Sequence, residues 1–228
     1  MKRNDLFFIV GVILFFLPFF IFDTVFEGYE HVNKTNPLLM SFVKFGILAT
    51  LGEVIGLRIK TGGYRADNFG IIPRVIIWGV LGVTIKIAIV VFATGVPIFL
   101  EKMGIEGAIQ SMTGSFSSTK FFVAFCISAV MNLVYAPVMM TLHRITDTHI
   151  FQNEGKVVAL VRRIQFATIL KEMDWSMQWN FVFKKTIPFF WIPAHTITFL
   201  LPMEYRVLFA ALLGVVLGVL LAVAGAKK

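Results

Sequence analysis

Residues 74–100 read RVIIWGVLGVTIKIAIVVFATGVPIFL, and between Arg74 and Leu100 a single ionisable side chain, Lys86, interrupts the apolar run. A helix rises about 1.5 Å per residue, so about 20 residues cross roughly 30 Å of hydrocarbon, and this stretch exceeds that length. The rest of the chain has the same character. Of 228 residues, 57% are hydrophobic and 15% are charged, with 25 phenylalanines and a mean hydropathy of +0.83. These values lie far from the usage of a soluble globular domain. They predict an all-α polytopic membrane helix bundle, one integral membrane domain over residues 1–228.

Working outward from 74–100, five further apolar segments give six predicted transmembrane helices. Residues 6–22 follow Met1-Lys2-Arg3 like the core of a signal peptide, but no small-x-small cleavage site comes after them, so they read as an uncleaved first span. Residues 37–59 form the second span, and Thr61-Gly62-Gly63-Tyr64 turns the chain toward the third. Residues 121–142 are the fourth. The fifth lies within 175–201, its buried part beginning near Thr186, and residues 207–225 are the sixth. Pro188 and Pro193 interrupt the fifth span, where they are expected to bend the helix and leave His195 and Thr196 as a polar spot just beyond the bend.

Basic residues orient these spans, because Lys and Arg accumulate on cytoplasmic loops. With the N-terminus inside, 15 of the 21 Lys and Arg fall on inner segments, and only Lys34, Lys102, Lys120 and Arg206 fall on outer ones. Lys44 and Lys86 lie within spans. Both termini are therefore expected in the cytoplasm, and the net charge of +8 follows topology rather than a nucleic-acid partner. Within the inner segment 145–173, Val157, Leu160, Val161, Ile164 and Ala167 recur at helical spacing beside Arg162, Arg163 and Lys171. That pattern predicts a basic amphipathic helix over 156–171 able to bind anionic lipid, with a solvated linker as the equal alternative.

Small residues predict where helices meet. Ala210, Gly214, Gly218 and Ala222 form one face of the last span, and Gly52 with Gly56 repeats the device in the second. Such faces let backbones approach where lipid supplies no hydrophobic drive, here within one chain in preference to an oligomer. Ionisable residues inside spans are costlier and more informative. Glu53 and Lys86 read either as a buried ion pair or as walls of a water-filled path, with Asn132 and His195 as further candidate lining residues. Lys44 and Lys185 lie near span ends, where long side chains reach the interface, and receive no role.

Enzyme chemistry has no visible basis. His31, His143, His149 and His195 show no HExxH arrangement, no phosphate loop or nucleophile elbow is present, and no cofactor or metal is indicated. The single Cys126 cannot form an intramolecular disulfide. Asn33-Lys34-Thr35 matches a glycosylation acceptor, a pattern short enough to arise by chance.

Collinear fragments from Asn36 to Leu221 resemble the Mpv-seventeen/peroxisomal-membrane-protein family. They comprise Asn36-Pro37, Gly52-Glu53, Arg74, Gly82, Asn132 with Tyr135-Ala136-Pro137, and Pro202 with Tyr205-Arg206 before the last span. Where many members carry a histidine four residues after the glycine, this chain has Lys86, and Met131 replaces an aspartate. The resemblance implies a family-like core over 36–225 preceded by an additional span and outer loop over 1–35. It implies a small-solute or ion-conducting pore, against which stands a non-conducting structural or interaction protein. The lack of an Arg- and Ser-rich transit segment points to a cell inner membrane, with an organellar inner membrane as the alternative.

Overall fold

The computed structural model describes residues 3–226, with side chains placed to residue 220 and at 223. Lys2, Lys227, Lys228 and the Ala222 side chain lie outside the described residues. All regular structure among the described residues is helical. Residues 1–40 form one compact unit and residues 41–228 another.

In the first unit, α1 (Arg3–Phe16) and α2 (Pro18–Ile21) together make an apolar segment long enough to cross a membrane. The two are separated at Leu17 because Pro18 has no N–H to continue the ladder and instead opens a new helix, where none is needed. Phe22 is extended, with φ −111° and ψ 108°, and α3 (Asp23–Thr35) follows it. This part, expected as an outer loop, is helical. Asp23 in its first turn and Lys34 in its last both complement the helix dipole, and the Thr35 hydroxyl donates to the His31 carbonyl at 2.9 Å.

The second unit contains most of α4 (Pro37–Thr61), then α5 (Ile71–Lys102), α6 (Ala108–Ser111), α7 (Ser118–Val134) and α8 (Ala136–Gln152). A 3-10 turn (Val157–Leu160), α9 (Phe166–Glu172), α10 (Trp175–Met177), a π-helix (Gln178–Trp191), α11 (Ile192–Leu200) and α12 (Met203–Ala226) complete it. Among the described residues, four helical segments are long and apolar enough to cross a membrane, and a fifth counts if α7 and α8, bent by 44° at Tyr135, are one span. The segment expected as a further span is divided between the π-helix and α11, so neither part reaches spanning length alone. Pro188 lies inside the π-helix and Pro193 in the first turn of α11, where the ring costs no hydrogen bond.

Close backbone approaches hold α4 against two neighbours. A Cβ placed on Gly82 would lie 2.4 Å from Phe45 Cβ, one on Gly79 would lie 2.5 Å from the Phe42 ring, and one on Gly46 would lie 2.8 Å from the Val75 carbonyl oxygen. Further along α4, a Cβ at Gly52 would lie 2.8 Å from Val215 Cα, and one at Gly218 would lie 3.0 Å from the Gly52 oxygen. Gly52, Gly56 and Ala210 are buried, whereas Gly214 has no closer neighbour than Ala49 Cβ at 3.9 Å. At the end of the bundle where α4 gives way to α5, Gly70 and Gly155 meet backbone to backbone, and both have positive φ.

Two further expectations change. The basic segment 156–171 is not one amphipathic helix: the 3-10 turn ends at Leu160, Val161 is 84% exposed, and α9 starts only after Gln165. A β-branched cluster at Val157, Val158 and Val161 gives little support to a regular helix there. Conversely, helix persists where an inner loop was expected, because α8 runs on through His143 and Asp147 to Gln152.

The corner between α11 and α12 is tied by Arg206, which is 6% exposed. Its Nε donates to the Leu201 carbonyl at 3.0 Å and its Nη2 to the Phe199 carbonyl at 3.1 Å, satisfying two acceptors at a helix end. Pro202 fills the break between the two helices, and Tyr205 stands exposed beside it.

Candidate functional site: an ionic cluster on three helices

Arg74 belongs to the first turn of α5, and its side chain is only 9% exposed. Each of its nitrogens has a defined partner. Nε donates to the Phe69 carbonyl at 2.6 Å, Nη1 donates to Glu53 Oε2 of α4 at 2.6 Å, and Nη2 pairs with Asp147 Oδ1 of α8. The Phe69 ring also lies under the guanidinium, 4.4 Å from Cζ. A planar, permanently charged fork suits such a site because it can meet three acceptors in one plane.

His143 completes the group from α8. Its Nε2 lies 3.2 Å from Glu53 Oε1, so that nitrogen carries the proton and donates to the carboxylate. Trp78 of α5 covers the imidazole with ring centroids 4.3 Å apart. His143 and Asp147 are four residues apart on α8 and so share a face, while Glu53 and Arg74 arrive on separate helices. The side chains of Glu53, Asp147 and His143 are 20%, 23% and 25% exposed. Glu53, Asp147 and Arg74 together carry one net negative charge, shared over α4, α5 and α8.

One ligand atom each from Glu53, His143 and Asp147 lies within 4.8 Å of the others, a spacing that suits a metal ion. The donor set does not favour one, because Arg74 already supplies the cation to both carboxylates and would repel a second. The arrangement is better described as an ion-pair network.

The candidate residues separate into three places. Glu53 pairs with Arg74 and His143, not with Lys86. Asn132 of α7 and His195 of α11 come together, with His195 Nδ1 3.0 Å from Asn132 Nδ2, and both are almost fully buried. Ser128 joins the same α7–α11 contact by donating to the Ile192 carbonyl at 2.7 Å, and Trp191 lies over His195 at 5.1 Å. Lys86, on α5, makes no hydrogen bond or ion pair with either group. Lys44, expected to reach the interface, is instead only 6% exposed; Lys185 is exposed. Of the family-like positions, Arg74 is the centre of the cluster, and Pro137 sits in the first turn of α8 just past the bend.

Sequence reasoning missed His143, Asp147 and Trp78. The available signal was that His143 and Asp147 share a helical face, once α8 is allowed to continue beyond residue 142. The link from His143 to Glu53 spans 90 residues, and Asp147 pairs with Arg74 of another helix, so neither leaves a local trace. No protein-family model matches the chain, and neither a curated protein nor a solved structure matches it.

Proposed function

We propose that this chain is a membrane protein that conducts or carries small hydrophilic solutes, with the Glu53–Arg74–His143–Asp147 cluster as the gate at one end of its pathway. The observation that carries the reading is the cluster itself. Ionisable residues within apolar helices are costly, and they are retained where they line a route for ions or protons. Here four of them join α4, α5 and α8 at a single point, so that shifting one helix breaks several bonds together. Further buried polar groups, one of them on the Trp78 ring over His143, point the same way. Thr50 Oγ1, Trp78 Nε1 and Trp191 Nε1 have no hydrogen-bond partner among the described residues, which favours access by water.

The same reading includes the finer architecture. Six spans, counting the π-helix with α11 as one, put both termini in the cytoplasm and the cluster at the inner end. The chain is then a divergent relative of the Mpv-seventeen family in an inner membrane. A groove of about 730 Å³ at that end, lined by Arg65, Phe69, Ile72 and Lys156, is where anionic lipid would meet the protein. Cysteine labelling in intact cells tests the topology. A cysteine at Leu160 should be silent to an impermeant external reagent and one at Gln110 reactive; the reverse result removes the orientation.

A specific observation favours a second reading. Every charge in the cluster already has a partner, as expected of a lock that only fixes helices together. Flux separates the two. Purified protein in liposomes should release small ions, and Glu53→Gln should raise that release by loosening the closed gate. A well-folded protein with no flux in either form returns the cluster to a structural role.

A further inference from the structure

We propose that the groove between residues 65–73 and the turn at 155–157 holds one anionic glycerophospholipid of the phosphatidylglycerol type, its phosphate in the groove and its acyl chains along the start of α5. Two pieces of backbone form the groove, and they are locked together. Gly70 ends the segment before α5 and Gly155 turns the chain after α8. A Cβ on Gly70 would lie 2.7 Å from Gly155 Cα, one on Gly155 would lie 2.7 Å from the Gly70 nitrogen, and both residues have positive φ. Only glycine permits that approach in that conformation. The space left beside the contact, about 730 Å³, falls within the roughly 300–1,000 Å³ of small-ligand sites.

The lining carries both kinds of surface that such a lipid needs. Arg65 and Lys156 face the groove, one from each segment. Arg65 makes no hydrogen bond or ion pair among the described residues, whereas Lys156 pairs with Glu154. Arg162 reaches the same turn by donating from Nη1 to Asn153 Oδ1 at 2.9 Å. With Asp67, also in the lining, these are three cations and two carboxylates, a balance of one positive charge that matches the single negative charge of a phosphate diester. Asp67 has no partner among the described residues and can only accept, so it suits the glycerol hydroxyls of the headgroup. Ile71, Ile72 and Val157 line the same groove and are exposed, Ile72 by 61%, where the membrane-spanning length of α5 begins. Basic pockets beside spanning helices take lipid phosphates at the membrane surface. A free phosphate ion would meet the cations but leave the apolar rim in water. Held in the groove, the lipid ties together the ends of α5 and α8, which carry Arg74 and Asp147, and Phe69, whose carbonyl takes the Arg74 Nε bond, is part of the wall. The site rests on the reading of this end of the bundle as a membrane surface and not on conduction.

The test uses the intact protein, stripped of lipid in a neutral detergent and titrated at constant ionic strength with short-chain phosphatidylglycerol, short-chain phosphatidylcholine or sodium phosphate. Phosphatidylglycerol should raise the melting temperature along a saturating curve and slow amide hydrogen exchange within 66–72 and 154–159, and the other two should do neither. Arg65→Gln and Lys156→Gln, both at exposed positions that the fold does not depend on, should each raise the half-saturating concentration about fivefold. Lys102→Gln, at the far end of α5, should respond like the wild type. The proposal is overturned if phosphatidylglycerol gives no saturable shift, if Arg65→Gln and Lys156→Gln both bind like the wild type, if Lys102→Gln weakens binding as much as they do, or if phosphatidylcholine or phosphate reproduces the shift. Conduction and orientation fail separately: a protein without flux, or one labelled at position 160 from outside, keeps the site as long as the phosphatidylglycerol response is intact.

Discussion

Arg74→Gln is expected to lower the melting temperature of the solubilised protein more than removal of any other polar side chain in the cluster. The substitution takes away one cation and strands two carboxylates, Glu53 and Asp147, each more than three-quarters buried. It also leaves the Phe69 carbonyl without its donor. Breaking a buried pair by removing one partner costs about 3–5 kcal/mol, because the remaining charge keeps its desolvation penalty and loses its compensation. Arg74→Lys should recover little, since an ammonium cannot direct donors to Phe69, Glu53 and Asp147 in one plane. A triple substitution, Arg74→Gln with Glu53→Gln and Asp147→Asn, should recover much of the loss, as expected for groups that act as a network. Thermal unfolding of the four proteins, wild type included, provides the measurement. If Arg74→Gln melts with the wild type, the cluster is fully hydrated and holds nothing together. If it melts lower and also leaks ions faster in liposomes, the cluster is both lock and gate.

The helical class was legible in residues 74–100 because a long apolar run broken only by Lys86 has few ways to satisfy its backbone in a membrane other than as a helix. The small residues at 52, 214 and 218 were legible for the same kind of reason, a local period on one face. What composition could not show was where regular helix fails. Residues 175–201 look as apolar as any span, yet Pro188 and Pro193 fall where the ladder changes from π to α, a difference of one residue in hydrogen-bond offset. The hydrophobic period across 157–167 was real but misleading, since β-branched residues and the turn at Gly155 prevent the helix it implied. Glu53 was recognised as costly and therefore important, but its partner was sought at Lys86 by depth alone. Depth does not fix azimuth. Arg74 lies nearer on the facing side of α5, and His143 reaches Glu53 only because the bend at Tyr135 directs α8 toward it, a bend buttressed by the 2.7 Å Tyr135–Thr84 hydroxyl contact.

Alanine substitutions along the glycine faces should split by sign, and the split tests the packing of α4 directly. Replacing a helical glycine with alanine favours the helix by about 1 kcal/mol where nothing obstructs the new methyl group. Gly95 on α5 has no atom within 4 Å of the position of a Cβ, so Gly95→Ala should leave stability unchanged or raise it. At Gly52 the methyl would sit 2.8 Å from Val215 Cα, and a backbone atom cannot turn aside as a flexible side chain can. At Gly82 it would sit 2.4 Å from Phe45 Cβ, in a ring contact where Phe45 is 4% exposed. Both substitutions force helices apart along their length, and overpacking of this kind costs about 1–3 kcal/mol or more, outweighing the gain in propensity. The last helix offers the sharpest comparison. Gly214 and Gly218 are equivalent in the sequence pattern, but a methyl at 214 meets Ala49 Cβ at an ordinary 3.9 Å, while one at 218 meets the Gly52 oxygen at 3.0 Å. Gly214→Ala should therefore be tolerated and Gly218→Ala should lower the melting temperature. Equal tolerance at 52, 82 and 218 would mean that α4 is not in contact with α5 and α12.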